Sequence, residues 1–153
     1  MQLDPFDIAI LDALQRDASL TNAALADTVH LSASQCSRRR SALEASGIIE
    51  GYGARLSASK LGFTVQAIVR VNLASHGKAQ AEDFARYLEA FQEVQAAYSV
   101  SGDADYVLHI VSRDLEAFAQ FIHMHLLPYP KVGQVRSEIV LTTLKQNGGL
   151  PLR

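Results

Sequence analysis

The sequence is poor in features that would otherwise direct its interpretation. It contains one cysteine, Cys36, so no disulfide can form within the chain and no cysteine-rich metal site can be built, which is typical of a reducing compartment. No apolar run approaches the roughly 20 residues needed to span a bilayer. Residues 1–5 have neither the basic start nor the apolar core of a secretion signal. We therefore expect a cytoplasmic protein without a membrane partner.

The sequence also lacks a recognisable catalytic constellation. His123 and His125 are two residues apart on a predicted helix, so they face different directions and cannot share a metal ion, for which a spacing of four is needed. There is no glycine-rich phosphate-binding loop in the sequence. No nucleophile, base and orienting group can be assembled from the pattern. We predict a protein that is not an enzyme and that has no metal and no cofactor.

What the chain does contain is enough apolar material for a folded core. Apolar residues make up 48% of its 153 residues and charged residues 20%, which gives no reason to expect disorder. The net charge is only −2, so the surface as a whole is not suited to a polyanion. Five basic and two acidic side chains nevertheless lie between His30 and Lys60, a local charge of +3. Any contact with nucleic acid should therefore be local.

Capping signals in the first third of the chain predict helices. Asp4 is a good N-cap and Pro5 suits the first helical position, so a first helix should run from Pro5 to about Arg16. Thr21 caps a second, short helix that is rich in alanine. His30-Leu31 then makes the turn to a third helix.

The third helix contains much of the local positive charge. Ser32 and Gln35 form a capping box at its start, and Gly47, a usual C-terminal cap residue, ends it. Residues 48–53 then predict a short strand and a glycine-bordered turn, the wing of a winged helix. Three helices followed by a wing are typical of a DNA-binding domain.

The three arginines of the third helix are not equivalent. At about 100° per residue, Cys36 lies on the buried face, and Arg38 points away from it as the best base or phosphate contact. Arg39 lies on the shoulder and is better placed for a phosphate, whereas Arg40 should cover the core with its stem and pair with Glu44. The alternative is an ordinary solvated helix face. The residues predicted to contact DNA are Thr21, Ser32, Ser34, Gln35, Ser37, Arg38, Arg39 and Ser41.

From Phe63 onward strands alternate with helices. Alternation at period two predicts the strands, and apolar stripes predict the helices. In chain order, these elements are expected at 63–73, 78–91, 94–101, 106–111, 115–127 and 133–144. The order strand, helix, strand, strand, helix, strand is that of the ferredoxin-like βαββαβ unit. The predicted fold class is α+β, and the open face of the sheet predicts pairing between chains.

The Gly-Asp-Ala-Asp turn at residues 102–105 has the chemistry to bind an amino-acid zwitterion. Asp103 or Asp105 can accept the ammonium group, and backbone N–H groups of the turn can donate to the carboxylate. Tyr98 and Ser137 are expected to line the same pocket. The alternative is that the sequence marks only a hairpin turn. The candidate effector-binding residues are Tyr98, Gly102, Asp103, Ala104, Asp105 and Ser137.

The order and spacing of these motifs resemble the Lrp/AsnC family of feast/famine transcription regulators. The resemblance implies a winged helix-turn-helix domain at 1–52, a hinge strand or linker at 53–62, and a ferredoxin-like effector-binding and oligomerisation domain at 63–153. It also implies homodimers that assemble to octamers or other higher oligomers. The matching residues are Leu3-Asp4, Asp7, Ile10-Leu11, Leu25-Ala26, Leu31-Ser32, Arg39, Leu43-Glu44, Gly47-Ile48-Ile49, Gly51-Tyr52, Gly102-Asp103, Asp105-Tyr106 and Val132 to Lys145.

Two functions are compatible with this resemblance. The first is a sequence-specific regulator whose oligomeric state or affinity for double-stranded DNA responds to a small amino acid bound between dimers. The second is an effector-independent, nucleoid-associated architectural protein that binds DNA with little sequence preference. The chain departs from the family at Cys36 and Arg40, where aliphatic residues are usual, and at Val135, where threonine is frequent. These departures leave the operator and the effector undefined.

Overall fold

The computed structural model describes residues 2–75, 77–146 and 148–152. The chain divides into two compact units, one formed by Met1–Arg55 with Lys145–Arg153 and the other by Leu56–Leu144. Each unit has its own hydrophobic core. Within the described residues, no helix is long and apolar enough to cross a membrane.

The first unit is built from three helices, which begin where the capping signals predict. Asp4 and Asp7 form a capping box, the Thr21 side chain accepts from a backbone N–H, and Ser32 and Gln35 form a second capping box. Each cap satisfies first-turn N–H groups and contributes about 0.5–2 kcal/mol. The helices are α1 (Pro5–Arg16), α2 (Asn22–Val29) and α3 (Ala33–Ala45).

The turn between α2 and α3 is made by His30 and Leu31, as predicted. His30 has a left-handed backbone, with φ 58° and ψ 45°, and the Leu31 N–H bonds to the Ala26 carbonyl at 3.1 Å. The turn brings the apolar stripes of the helices together. Cys36 is fully buried, and this burial raises the pKa of its thiol, so the cysteine is a protonated core residue. The other fully buried side chains of this core are Ile10, Leu25 and Leu43.

The segment after α3 does not contain the predicted wing strand. The N–H groups of Ile48 and Ile49 both bond to the Leu43 carbonyl, at 3.1 and 3.2 Å, so they close the end of α3. A strand needs a second strand to satisfy its backbone, and the described part of the first unit contains none. The strand prediction was therefore wrong. We call residues 48–55, which have no regular structure, the wing segment.

The ends of the linker and of the chain also differ from the predicted boundaries. Within 53–62 the structure has a short 3₁₀ helix at Ser59–Leu61 and no strand. The tail at 145–153 belongs to the first unit, because the Gln15 side-chain amide bonds to both the N–H and the carbonyl of Leu150, at 2.9 and 3.1 Å. The sequence prediction had placed this tail in the second domain.

The second unit has the predicted ferredoxin-like order, with the strands β1 (Val65–Leu73), β2 (Val94–Ser99), β3 (Tyr106–Ser112) and β4 (Val132–Ile139). These four strands form one antiparallel sheet in the order β2-β3-β1-β4. The predicted α+β fold class is confirmed. The last helix ends in a π-helical turn at Ile122–Leu126. The α-helices of this unit are α4 (Lys78–Leu88), between β1 and β2, and α5 (Leu115–Phe121), between β3 and β4.

The sheet has one covered and one open face. Val69 and Val71 of β1 and Leu108 of β3 are fully buried in a core that includes Phe84 of α4 and Phe118 of α5. The residues between them in sequence point to the opposite face, because side chains alternate along a strand. That alternation decides which of the candidate effector residues can share a pocket.

Candidate DNA interface and effector site

Arg39 of α3 is paired inside the first unit. Its Nη1 lies 2.7 Å from both Asp4 Oδ2 and Asp7 Oδ1, and its guanidinium carbon lies 5.5 Å from the centre of the Phe6 ring. The Asp7 side chain is only 7% exposed. Because two carboxylates hold the guanidinium, the structure gives no support to the predicted phosphate contact at Arg39. Arg39 instead joins α3 to the first turn of α1.

The contacts among these side chains favour the charged forms of both Asp4 and Arg39. The pKa of Asp4 is lowered, chiefly by the hydrogen bond from the Asp7 backbone N–H and further by Arg39. The pKa of Arg39 is raised by its hydrogen bonds to Asp7 and Asp4. The contribution of Asp4 to stability is therefore present above its ordinary pKa and is lost as the pH falls through the lowered value.

Arg40 is also paired, and the predicted pair with Glu44 is confirmed. The Arg40 Nε donates to Glu44 Oε1 at 3.2 Å and to the Tyr52 hydroxyl at 2.9 Å, and its Nη1 donates to the Leu20 carbonyl at 3.1 Å. The Tyr52 hydroxyl in turn donates to Glu44 Oε1 at 2.7 Å. Desolvation and this hydrogen bond to Glu44 raise the pKa of Tyr52.

Arg38 is exposed and forms no hydrogen bond or ion pair with any residue that the structure describes. Among the three consecutive arginines, it is the one whose guanidinium is left available to an external anion. Ser41, three residues further along α3, is also exposed, and Ser37 is half-buried. The surface that α3 offers to DNA therefore contains less positive charge than the sequence suggested.

Four other predicted DNA contacts lie at helix starts, where their side chains are already engaged. The oxygens of Thr21 and Ser32 accept from backbone N–H groups, and Gln35 Oε1 accepts from the Ser32 N–H at 3.0 Å. The Ser34 hydroxyl lies 3.1 Å from that of Ser32. The side-chain NH₂ of Gln35 remains for a base acceptor, whereas Thr21 and Ser32 act first as caps.

At the 102–105 turn, the two aspartates have different environments. The Asp105 carboxylate accepts from the Leu73 N–H at 2.8 Å, which ties the turn to β1. The Asn72 amide donates to the Asp103 carbonyl at 2.8 Å and accepts from the Asp105 N–H at 3.3 Å. Asp103 is exposed. Asp103 is therefore the better partner for a ligand ammonium group, and Asp105 holds the turn in place.

The structure does not bring Tyr98 and Ser137 together within one chain. Tyr98 pairs with Val107, which pairs with Arg70 on the open face of the sheet. Ser137 pairs with Val69, which is fully buried on the covered face. A pocket formed by one chain therefore cannot hold both side chains, which corrects that expectation. The Ser137 side chain therefore lies on the opposite face of the sheet from Tyr98.

A small cavity of about 30 Å³ lies beside the 102–105 turn. This space holds on the order of one or two water molecules. Sequence reasoning missed its two arginines, Arg70 and Arg136, which are directly opposite each other on β1 and β4; only the strand register reveals this pairing. The cavity is lined by Arg70, Asn72, Asp103, Ala104, Gln134 and Arg136.

Both units match known families. Residues 3–50 match a winged helix-turn-helix DNA-binding model, and residues 66–150 match the Lrp/AsnC ligand binding domain. The transcriptional regulator AzlB of Bacillus subtilis is 34% identical over 99% of this chain and 97% of its own length. The leucine-responsive regulatory protein of Rhizobium meliloti is 36% identical over 95% of this chain and 93% of its own.

A solved structure supports the same assignment. A transcriptional regulator from Neisseria meningitidis, crystallised as a complex with L-Met, is 37% identical and superposes with a TM-score of 0.95, covering 99% of this chain and 97% of that one. AzlB and the Neisseria meningitidis protein are named as transcriptional regulators, and the Rhizobium meliloti protein is named as a regulatory protein. With a helix-turn-helix DNA-binding region followed by a ligand-binding domain, this chain belongs to the Lrp/AsnC family of transcriptional regulators.

Proposed function

We propose that this protein is a sequence-specific regulator whose oligomeric state or DNA affinity responds to a small amino acid. It acts in the cytoplasm on double-stranded DNA of the nucleoid. Homodimers assemble to an octamer or another higher oligomer, and the effector binds at the contact between dimers. The observation that carries the effector proposal is the L-Met complex of the Neisseria meningitidis regulator, which is similar over nearly the whole chain.

The geometry of α3 supports its role as the DNA-reading helix. Arg38 is exposed on this helix without a described ion-pair partner, so its guanidinium is available to a guanine edge or a phosphate. Arg39 is held by two carboxylates and orients α3 rather than reading DNA. In this proposal, the residues that contact DNA are Ser34, Gln35, Ser37, Arg38 and Ser41. Thr21 and Ser32 contribute by capping α2 and α3.

The size of the cavity at the 102–105 turn supports a site completed by another chain. Space for one or two water molecules cannot enclose an amino acid, so the ligand needs further walls. Asp103 binds the ammonium group in this proposal, and backbone groups from Gly102 to Ala104 bind the carboxylate. Gly102 has φ +132°, a conformation that L side chains rarely adopt. This backbone conformation therefore favours glycine at residue 102 of the turn.

Specific DNA binding is tested by fluorescence anisotropy at fixed, near-physiological salt. One labelled duplex comes from upstream of the protein's own gene, and the other is a shuffled duplex of the same composition. A sequence-specific regulator should prefer the first by a factor on the order of a thousand or more. Equal and salt-sensitive affinity for the two duplexes would instead support the architectural alternative.

The effector proposal predicts that Asp103→Asn abolishes the amino-acid response while DNA binding without ligand is unchanged. In the unmodified protein, at least one of the twenty amino acids should change DNA affinity or sedimentation, with a coupling of about 5–150-fold. Removing the carboxylate removes the charge-assisted bond to the ligand ammonium group. Glu89→Gln, at an exposed position beyond α4, is the matched control. A full response in Asp103→Asn would exclude Asp103 as the ammonium partner.

A further inference from the structure

Arg40 connects three parts of the first unit that are separate in sequence. It lies on α3, its Nη1 donates to the carbonyl of Leu20 immediately before the α2 cap, and its Nε donates to Tyr52 in the wing segment. Its guanidinium carbon also lies 4.7 Å from the centre of the Tyr52 ring. The Arg40 side chain is only 20% exposed, whereas its partners Glu44 and Tyr52 are 40% and 46% exposed, so this group of contacts lies at the surface of the unit.

The wing segment has few other attachments. Ile48 and Ile49 are fixed by their bonds to the end of α3, but between Glu50 and Arg55 the hydrogen bonds found among described residues all involve the Tyr52 side chain. Gly51 and Gly53 flank Tyr52 and restrict the backbone least. Without regular structure, the course of this segment depends on where the Tyr52 ring is held.

We propose that Arg40 is a positioning residue for DNA binding, which holds the wing segment beside α3 through Tyr52 and Glu44 without contacting DNA itself. The segment then enters the complex already ordered, together with the exposed Arg55 at its end. Ordering it beforehand removes an entropy cost that binding would otherwise include. The inference rests on the proposed role of α3 in reading DNA.

The test compares operator affinity and its salt dependence in Arg40→Met and in the unmodified full-length protein. Methionine keeps an apolar stem over the core and removes every hydrogen bond of the guanidinium. We expect about tenfold weaker binding, equivalent to one charge-assisted hydrogen bond, with an unchanged slope of log K against log salt. If Arg40 instead touched a phosphate directly, its replacement would lower the slope by about one. A lower slope would therefore overturn the proposal.

A second variant keeps the test independent of folding. Tyr52→Phe removes only the hydroxyl that bonds to Arg40 and Glu44. It should also weaken DNA binding, and its effect should be less than additive when it is combined with Arg40→Met. Trypsin should also cut after Arg55 several-fold faster in both variants, because the released segment fits the protease more readily. Unchanged cleavage together with unchanged affinity would refute the positioning role. If Arg38→Ala lost operator binding while Arg40→Met and Tyr52→Phe did not, the positioning role of Arg40 would be refuted and the proposed DNA-reading role of α3 would stand.

Discussion

Replacing Arg39 by methionine should lower the free energy of unfolding of the first unit by about 3 kcal/mol, near the lower end of values for broken buried ion pairs. The reason is that the Asp7 side chain, 7% exposed, loses its guanidinium partner in a buried position, whereas Asp4 is 43% exposed and can be solvated. Urea denaturation of the full chain, followed by circular dichroism and by hydrogen exchange of α1 and α3, measures the effect.

Two further variants show whether the loss arises from the stranded carboxylate. Asp7→Asn in the Arg39→Met background should recover part of the stability, because it removes the uncompensated charge. Arg16→Met is the matched control, since Arg16 forms an exposed pair with Asp12 on α1 and should cost less than about 1 kcal/mol. If Arg39→Met lowered the free energy of unfolding no more than this control does, the contacts of Arg39 would not be what stabilises the packing of α3 against α1.

Replacing Arg38 by alanine should weaken operator binding by about 1–3 kcal/mol for each reading helix, or roughly 5–150-fold. The side chain is exposed, so the fold should be unaffected and thermal unfolding should stay within about 0.5 kcal/mol of the unmodified protein. Anisotropy titrations on the operator and on single-base variants measure the loss.

The pattern of the loss identifies the atom that Arg38 contacts. A base contact relaxes discrimination at one base pair, whereas a phosphate contact weakens all sequences alike and lowers the salt slope by about one. Arg16→Ala removes the same charge from α1 and serves as the control. If Arg38→Ala bound the operator with the affinity and the salt slope of the unmodified protein, the exposed face of α3 that contains Arg38 would not read DNA.

Strong local signals were sufficient to predict the helices of the first unit and the strand order of the second. The caps at Asp4, Thr21 and Ser32 each fix a helix start because a side-chain oxygen meets a specific backbone N–H. Alternation along β1 and β3 predicted the buried face because side chains alternate along any strand. These features depend on residues close in sequence.

Patterns local in sequence gave wrong or incomplete predictions where the backbone hydrogen-bond partner determines the structure. The apolar pair Ile48-Ile49 suggested a strand, but its N–H groups bond to α3 because no second strand is at hand in the described first unit. The helix at 115–127 turns π-helical at its end, with the Leu127 N–H bonded to the Ile122 carbonyl at 2.9 Å. Apolar spacing does not distinguish the two bonding patterns.

By itself, the sequence determined the fold class, the family resemblance and the location of the basic segment. The tertiary structure decided which arginine of that segment remains available to DNA. The cap residue Asp4 and Asp7 of α1 pair with Arg39, and Glu44 and Tyr52 bond to Arg40, so Arg38 alone of the three arginines has no partner among the described residues. It also gave the two aspartates of the candidate effector site different environments, since the Asp105 carboxylate accepts from the Leu73 N–H and Asp103 is exposed. Which polar group is satisfied internally depends on the partner that folding brings within hydrogen-bond distance, and no spacing along one helix or turn contains that information.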